Sequence, residues 1–357
     1  MNRMETPASS GYRMLAEWMR HDATWLGWPR NEHEWPGKLS AIEWVCGEMI
    51  RRIAPGERVR ILIESAAREK HAREILRLAG VDPKQVEYLR YPTDRVWMRD
   101  SGPIFVRRGG RKPARAIVHF HFNAWARYPD WKRDRRVPEM AARRMKCDLF
   151  EARSGQRPFV LEGGSIDVNG RSTVLTTEEC LLDQKTQVRN PGLTRGEVET
   201  VLREYLGARN VLWLGKGIAG DDTHGHVDDL CRFVNRNTVV LAQEKNPRDV
   251  NYRALNENRE RLKGMRLEDG SKINVVSLPM PEPLYFGKNR LPASYANFYI
   301  SNAAVLVPTF NDPADRVALG ILAGLFADRP VVGIHAVDLV LGFGTLHCLT
   351  QQQPAAR

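Results

Sequence analysis

A hairpin-like segment recurs along this sequence at a fixed spacing. Two strand-like runs that meet at an Asn, Gly or Ser turn are typical of a β-hairpin, and three segments have this form: SIDVNGRSTVLTT, CRFVNRNTVVLAQ and ANFYISNAAVLVPTF. Their turns lie at Asn169, Asn235 and Ser301, so consecutive turns are 66 residues apart. A regular period of this length indicates an architecture built from repeated units.

The segments that follow the three hairpins repeat as well. Each hairpin precedes an amphipathic helical pattern and then an apolar strand; the pairs read PGLTRGEVETVLREYLG and VLWLG, PRDVNYRALNENRERLKG and INVVSLP, and DPADRVALGILAGLFADR and VVGIHA. In the first helix Thr194 is the predicted N-cap and Gly207 marks the predicted end. The repeated unit is therefore a hairpin, a helix and a strand.

Two further units account for the rest of the chain. VWMRDSGPIFVRRGGRKPARAIVHFHF predicts a hairpin that turns at Gly109 and Gly110, about one period earlier. HDATWLGWP, a helix over about residues 36–52 and the strand VRILIES make a fifth unit only if they combine with TLHCLTQQ. The two chain ends must therefore pair with each other.

Units that bury a face only against their neighbours form solenoids or closed rings. The sequence thus predicts an α/β fold, a five-bladed pseudosymmetric α/β propeller of ββαβ units that is closed by pairing of its N- and C-terminal strands. We expect a single domain over residues 13–354 and a flexible N-terminal segment over residues 1–12.

Composition narrows the class of protein. The 357 residues are 42% hydrophobic, without an apolar run near the ~20 residues of a membrane span or the apolar core of a signal peptide. We therefore expect a soluble, cytoplasmic protein with no membrane partner. The cysteines are odd in number and lack CxxC spacing, which argues against a disulfide framework or a structural zinc site; they are Cys46, Cys147, Cys180, Cys231 and Cys348.

The net charge of +11 raises the hypothesis of a polyanionic partner. The clearest basic cluster is RYPDWKRDRR, from Arg127 to Arg136, which Asp130 and Asp134 interrupt. Because no nucleic-acid-binding motif accompanies it, the pattern favours a solvated basic face. We do not expect nucleic acid to be a partner.

Polar residues recur at one place in the repeat, on the runs that lead into the turns. Unit by unit they are Asp100 in WMRDSGP, Glu162 in FVLEGGS, His226 and Asp228 in THGHVDD, and Asn297 in SYANF. Each precedes its turn by about four to ten residues, so in a ring all of them would point toward one central opening. Cys348 would join them from the fifth unit.

Each of these residues also has a purely structural interpretation. Asp100 precedes SGP, where an aspartate often caps a turn. Glu162 is costly to bury without a partner, although the two glycines after it would permit an irregular backbone.

The alternation of His224, His226 and Asp228 would place all three on one face of an extended strand. That pattern fits either a half-exposed polar strand or a His-x-His-x-Asp metal site. His347 is not expected to serve Cys348 as a base, because neighbours on a strand point to opposite faces.

A cysteine, a histidine and several carboxylates together indicate nucleophilic chemistry on a cation. A nearby cation stabilises a thiolate, a histidine within reach shuttles protons, and a carboxylate such as Glu162 orients its tautomer. Two more carboxylates would oppose thiolate formation by charge repulsion. They fit a guanidinium substrate, which carboxylates bind in bidentate fashion and whose charge would help to ionise the cysteine.

With these residues the chain resembles the agmatine deiminase and bacterial-type peptidylarginine deiminase family of the guanidine-modifying, or pentein, superfamily. The matching stretches run almost end to end: HDATWLGWP, VWMRDSGP, FNAW, FVLEGGS, LTTEECLL, GHVDD, SYANFYI, VPTF and HCLTQQQP. The resemblance implies a five-unit ring and a hydrolase of polyamine biosynthesis that converts agmatine into N-carbamoylputrescine and ammonia. It implies no metal and no organic cofactor.

The resemblance also implies a role for each matching residue. The implied catalytic residues are Cys348 as nucleophile, His226 as general acid and base and Glu162 as the carboxylate that orients it, and the implied substrate-binding residues are Asp100, Asp228 and Asn297. The nucleophile would pass through a covalent amidino-cysteine intermediate.

Three departures from the usual agmatine deiminase pattern leave the guanidino substrate open. His224 stands in place of Asp or Asn, GFGTL in place of a glycine triplet and Asn-Ile before HC, and Ala126 and Arg127 in place of two glycines after FNAW. Arg127 to Arg136 would then form a cationic rim that favours a carboxylate, as on free or peptidyl arginine.

Two other activities stay open at this point. An amidinotransferase would pass the amidino group to an amine instead of water. A five-unit ring can also be a pure binding module, but a binder would not need Cys348, His226 and Glu162 to converge. The small-molecule guanidinium is the expected partner, and a homo-oligomer is compatible with the sequence.

Overall fold

The computed structural model describes residues 5–356, which fold into a mixed α/β structure. The strands are β1 His21–Gly27, β2 Arg58–Ile63, β3 Val86–Arg90, β4 Ile104–Arg108, β5 Ala114–His119, β6 Asp148–Glu151, β7 Arg153–Ser154, β8 Arg157–Pro158, β9 Asp167–Val168, β10 Thr173–Thr177, β11 Asn210–Leu214, β12 Cys231–Phe233, β13 Thr238–Gln243, β14 Asn274–Pro279, β15 Tyr285–Phe286, β16 Asn289–Arg290, β17 Tyr299–Ile300, β18 Val305–Thr309, β19 Val331–His335 and β20 Thr350–Pro354. The α-helices are α1 Leu39–Ile53, α2 Ala66–Leu78, α3 Met98–Ser101, α4 Val137–Met145, α5 Glu178–Leu182, α6 Arg195–Leu206, α7 Asn251–Gly264, α8 Ala314–Leu325 and α9 Leu346–Leu349.

Five of the sheets within this range share one topology. Four of them join an antiparallel hairpin to a third strand parallel to its second strand; they are β4-β5-β6, β9-β10-β11, β12-β13-β14 and β17-β18-β19. The predicted hairpins at residues 109, 169, 235 and 301 are thereby confirmed. The predicted strand that ends each unit is also present.

The fifth sheet joins the two ends of the chain. Strand β20 pairs antiparallel with β1 from Leu26 opposite Thr350 to His21 opposite Pro354, and β1 pairs parallel with β2. The indole Nε1 of Trp25 also donates to Oε1 of Gln353 at 3.0 Å. The predicted pairing of the chain ends is confirmed, and it anchors the segment that carries Cys348.

The ends of helix α6 could be predicted because the residues that cap them lie next to the helix in the sequence. In α6 the side chain of Thr194 accepts from the backbone N–H of Glu197, whose carboxylate accepts from Thr194 in return. Gly207 ends the helix with a φ of 72°, a left-handed conformation that glycine adopts at little cost. Both predicted boundaries are confirmed.

The prediction of strands around the polar residues is wrong at three places. Asp100 lies in α3, Cys348 lies in α9, and Asp228 lies in a short 3₁₀ helix, Val227–Asp229. Side-chain acceptors bend these segments; for example, the carboxylate of Asp221 accepts from the backbone N–H groups of Gly225 and His226. Polar residues therefore reach the site from helical turns, where neighbours along the chain do not alternate between faces.

The described residues before residue 13 contact the rest of the chain. Within residues 5–12, Ala8 donates its N–H to the carbonyl of Glu204, and the ring of Tyr12 packs among buried side chains of β4 and β9. The domain boundary at residue 13 stays a prediction, and residues 1–4 lie outside the described range.

Among the described residues, no helix combines the length and apolarity of a membrane span.

Candidate active site

Gly164 marks the point where polar residues of two repeated units meet at a glycine of a third unit. A Cβ atom at this glycine would lie 2.6 Å from Nδ1 of His226, 2.8 Å from Oδ1 of Asp100 and 3.0 Å from Oδ2 of Asp228. These distances are shorter than van der Waals contact, so only glycine fits. The convergence predicted from the repeat is therefore present for these three residues.

Asp100 and Cys348 line a cavity of about 240 Å³. Asp100 is buried, and its carboxylate accepts from the indole Nε1 of Trp125 at 2.9 Å and from the backbone N–H of Gly164 at 3.0 Å. Burial raises the pKa of Asp100 to about 6. Asp100 is thus fixed in orientation by two donors, and its charge is easily lost or gained near neutral pH.

Glu162 is fully buried and has a cationic partner. Its Oε1 lies 3.1 Å from Nε of Arg189, and its Oε2 lies 3.5 Å from Nε2 of His226. Burial opposes ionisation, but the charges of Arg189 and His226 lower the pKa of Glu162 to about 2. Arg189 therefore supplies the partner that a buried glutamate requires, and Glu162 is an anion beside the imidazole.

His226 is surrounded by carboxylates. Its Nδ1 lies 3.8 Å from Asp100 and 3.9 Å from Asp228. Burial disfavours the charged ring, but Asp100, with Cys180 and Glu162, raises the pKa of His226 well above its usual value. Neither ring nitrogen has a close hydrogen-bond partner among the described residues; Nε2 faces Glu162, and Nδ1 faces Asp100 and Asp228.

Asp228 contacts His347, the histidine that is not expected to act as a base on Cys348. Nδ1 of His347 lies 2.6 Å from Oδ2 of Asp228, and Nε2 of the same ring lies 2.8 Å from Glu17. Burial opposes ionisation of Asp228, but the imidazole of His347 lowers its pKa. His347 thus orients a carboxylate of the site. Because α9 is helical, His347 and Cys348 are not held on opposite faces of a strand.

Glu17 is a further site residue that the sequence did not reveal. It is buried and accepts from the guanidinium groups of Arg99 and Arg232, both at 3.0 Å, and from the backbone N–H of Ile300 at 2.8 Å. No motif surrounds Glu17, which lies 330 residues from His347 in the chain. A glutamate in an otherwise apolar LAEWM run was the one available signal.

Asn297 positions the cysteine. Its Nδ2 donates toward Sγ of Cys348 at 3.1 Å and to Asp229 at 2.9 Å, while its Oδ1 accepts from the hydroxyl of Thr345 at 2.6 Å and the backbone N–H of His347 at 3.1 Å. These bonds hold the first turn of α9. They place the side chain of Asn297 beside the thiol.

The thiol of Cys348 lies in an anionic environment. Its Sγ is 3.9 Å from Oδ2 of Asp228. Burial, followed by the charges of Asp228, Asp229 and Asp100, raises the pKa of the Cys348 thiol well above its usual value. Without a bound cation the thiol form of Cys348 is therefore favoured, in agreement with the predicted charge repulsion.

His224 does not join these residues. It has a φ of 66°, which is not an extended-strand conformation, and its Nε2 lies 2.8 Å from Asp183. The predicted alternation of His224, His226 and Asp228 on one strand face is therefore wrong. Among the described residues, the two groups with metal-ligand spacing exclude His224; they are Glu162, Cys180 and His226, and Asp228, Asp229 and Cys348.

The cavity walls combine aromatic and charged groups. Around Asp100 and Cys348 the lining residues are Asn31, His33, Glu34, Arg95, Trp97, Trp125, Tyr128, Asp222, Thr223, Leu341, Gly342, Phe343 and Gly344. A Cβ atom at Gly344 would lie 2.8 Å from the ring of Trp97 and 3.0 Å from Cβ of Cys348. This glycine therefore makes room for the indole beside the nucleophile.

The basic stretch contributes little to this cavity. Of residues 127–136, Tyr128 is the one that lines it; Lys132, Arg133, Arg135 and Arg136 line a separate surface depression. Arg127 is half exposed, with Nε 4.0 Å from Asp222. The expected cationic rim is thus absent from the lining.

The sequence and the fold have close counterparts. Residues 13–354 match the model of the family described as Porphyromonas-type peptidyl-arginine deiminase. The agmatine deiminase of Pseudomonas fluorescens is 35% identical over 373 residues, covering 98% of this chain and 97% of that protein.

Two solved structures extend the comparison. The agmatine deiminase of Enterococcus faecalis is 29% identical, with a TM-score of 0.90 over 99% of this chain and 98% of that chain. A protein of Porphyromonas gingivalis, provisionally described as an arginine deiminase, is 35% identical, with a TM-score of 0.85 over 97% of this chain and 99% of that one.

Proposed function

The chain belongs to the Porphyromonas-type peptidyl-arginine deiminase family, and from this membership we propose that it is an agmatine deiminase. It hydrolyses the guanidinium of agmatine to N-carbamoylputrescine and ammonia, which is a hydrolysis of a C–N bond in a linear amidine. The observation that carries the proposal is a buried cysteine that shares one site with the carboxylates of Asp100 and Asp228. Relatives described as agmatine deiminases match over nearly their whole length.

Asp100 and Asp228 bind the guanidinium. Two carboxylates around one cation form charge-assisted hydrogen bonds, which are stronger than neutral ones. Oδ1 of Asp228 has no partner among the described residues, and the two donors to Asp100 leave room for a third. A neutral substrate would leave Asp100 and Oδ1 of Asp228 without a charged donor, so the site favours a cation.

The cationic substrate ionises the nucleophile. In the empty site, burial and the neighbouring carboxylates keep the pKa of Cys348 high. A guanidinium between Asp100 and Asp228 neutralises the charges that oppose the thiolate, so the thiol releases its proton to solvent when substrate binds and His226 keeps its own. The resting thiol is protected from other electrophiles by the same arrangement.

Two steps follow. The thiolate of Cys348 attacks the guanidinium carbon, and His226 donates a proton to the departing nitrogen, which leaves as ammonia while an S-alkylamidino-cysteine remains. His226 then accepts a proton from a water molecule that attacks the same carbon. The C–S bond breaks, the ureido product leaves and the thiol is restored.

Glu162 and Arg189 support His226 in both steps. An anion 3.5 Å from Nε2 favours the imidazolium that must donate the first proton. Asn297 adds a donor to the sulfur of Cys348, which stabilises the thiolate. These roles require no metal or organic cofactor.

We further propose that the five repeated units close into a pseudosymmetric five-bladed propeller that works in the cytoplasm. Five sheets of one topology and the pairing of β20 with β1 support this arrangement.

A substrate panel tests the activity. Ammonia release from agmatine, free arginine and a peptide with C-terminal arginine should be highest with agmatine. The Porphyromonas gingivalis relative makes arginine the second candidate, and higher kcat/KM with either arginine substrate would replace agmatine in the proposal. Product that forms only when an acceptor amine is added would indicate an amidinotransferase.

A further inference from the structure

Glu34 lies on the wall of the cavity that contains Cys348. Its side chain is 7% exposed, and Oε1 accepts from Nη1 of Arg95 at 3.0 Å and from the indole Nε1 of Trp97 at 3.2 Å. Its second oxygen, Oε2, has no partner among the described residues. A buried carboxylate oxygen without a hydrogen-bond donor costs free energy. A bound group that donates to Oε2 of Glu34 would therefore be stabilised here.

Arg95 does not fully neutralise the carboxylate of Glu34. Its Nη2 lies 3.0 Å from Asp130, and the face of its guanidinium lies 4.1 Å from the ring centre of Tyr128. Its charge is thus shared between two carboxylates. Although Nε of Arg95 also lacks a partner, an incoming anion there would meet both Glu34 and Asp130.

Asp222 adds a further negative charge to the same wall. The hydroxyl of Tyr128 donates to the carboxylate of Asp222 at 2.5 Å. Nε of Arg127 lies 4.0 Å from the same carboxylate. Apart from Asp100, the lining therefore holds two carboxylates, Glu34 and Asp222, and one guanidinium, that of Arg95, which Asp130 also binds from outside the lining. Its excess charge is negative, in contrast to the chain as a whole.

We propose that Glu34 is the specificity-determining residue that binds the distal ammonium group of the substrate. The inference rests on the proposed deiminase function and names the substrate class as guanidines that end in an amine. The guanidinium occupies Asp100 and Asp228, the methylene chain lies along the rings of Trp97 and Trp125, and the ammonium donates to Oε2 of Glu34.

The same wall disfavours arginine. An α-carboxylate near Glu34 and Asp222 would be repelled by both groups. Burial raises the pKa of Glu34 to about 7, and a bound ammonium would restore the charged form, since an opposite charge at short range favours ionisation. Ionisation of Glu34 and binding of the substrate ammonium therefore favour each other.

The test compares two substrates that differ only in the amine. Agmatine and n-butylguanidine carry the same four-carbon chain, and the second lacks the ammonium. Glu34→Gln should lower kcat/KM for agmatine by about tenfold or more, mainly through KM, which corresponds to one lost ion pair. The same variant should change kcat/KM for n-butylguanidine less than about twofold. Equal losses for both substrates, or none, would overturn the inference.

Asp130→Asn is the matched control, because it removes the other carboxylate partner of Arg95 and leaves Glu34 in place. It should not reduce agmatine turnover selectively; a selective loss as large as that of Glu34→Gln would assign the effect to Arg95 and contradict the inference.

Binding to the Cys348→Ala variant, measured by calorimetry, separates this inference from the proposed function. A preference for agmatine over n-butylguanidine that disappears with Glu34→Gln supports the role of Glu34, even if turnover of agmatine proves absent. Agmatine turnover without such a preference would overturn the role of Glu34 and leave the deiminase in place.

Discussion

His347 bridges two buried carboxylates, with Nδ1 2.6 Å from Asp228 and Nε2 2.8 Å from Glu17. Each ring nitrogen therefore faces a carboxylate oxygen, and the two contacts fix the orientation of the ring. The bridge links a residue near the N-terminus to the residue beside the nucleophile. It shows how closure of the chain ends shapes the site, since Glu17 precedes β1 and His347 precedes β20.

We predict that Glu17→Gln destabilises the fold and slows turnover. The change removes the charge that compensates two buried guanidinium groups and His347, and the free energy of unfolding should fall by about 3 kcal/mol. Urea unfolding measures this loss. Glu74→Gln, which breaks an exposed pair with Arg77, is the control and should leave the free energy of unfolding nearly unchanged, because solvent screens a surface ion pair. Equal effects would contradict the structural role of Glu17.

The repeat could be predicted from sequence because its signals are local. Turn residues, the cap at Thr194 and the glycine at Gly207 act over a few positions, so they survive in any context. The short turns that carry Asp100 and Cys348 could not be predicted in this way. They are bent by partners distant in the chain, such as Asn297, whose side chain accepts from the backbone of α9.

The same distinction applies to the site. Residues inside quoted motifs, such as Glu162 and Asp228, could be selected from sequence, and the structure places both beside the ring of His226. Glu17, Arg189 and Glu34 could not, because their importance lies in contacts between units and no local pattern records it. His224 shows the converse error, since spacing alone suggested a shared face that its backbone does not allow.

We predict that Cys348→Ala abolishes ammonia release from agmatine and retains binding of the guanidinium. The substitution removes the sulfur and leaves Asp100 and Asp228 in place, so calorimetry should still detect agmatine. Turnover should fall below detection, a loss of at least about 10³-fold for a covalent nucleophile. Ammonia release that persists in the purified variant would exclude Cys348 as the nucleophile.

Binding of agmatine to the Cys348→Ala variant should weaken as the pH falls below about 6. Burial raises the pKa of Asp100 to about 6, so at lower pH the residue is neutral and no longer attracts a cation. The dissociation constant should rise by about tenfold for each pH unit well below that value. Calorimetry between pH 4.5 and pH 8, values chosen to bracket this pKa by roughly two units, measures the dependence. An affinity that stays constant across this range would contradict the role of Asp100.

Asp100 also affects folding stability, and this effect depends on pH in the opposite direction to that of a carboxylate in an ordinary ion pair. Because the folded pKa of Asp100 lies above the unfolded value of about 3.9, the folded state binds a proton more tightly between these two values. Asp100 therefore costs stability as the pH rises through about 6, and Asp100→Asn should relieve that cost. Urea unfolding of the variant and the parent at pH 5 and pH 8, on either side of the folded pKa by roughly one unit or more, should show a larger gain at pH 8.

Gly164→Ala should inactivate the enzyme even though it adds a single methyl group. The new Cβ would lie 2.6 Å from Nδ1 of His226 and 2.8 Å from Oδ1 of Asp100, so both side chains must move from the positions that bind the guanidinium. A displacement of this kind costs about 10²-fold or more in kcat/KM. Gly109→Ala is the matched control, because a Cβ there meets no atom within 4 Å and the residue lies in a predicted turn. If both variants retain parental kcat/KM with agmatine, the three residues around Gly164 do not need the geometry described here for catalysis.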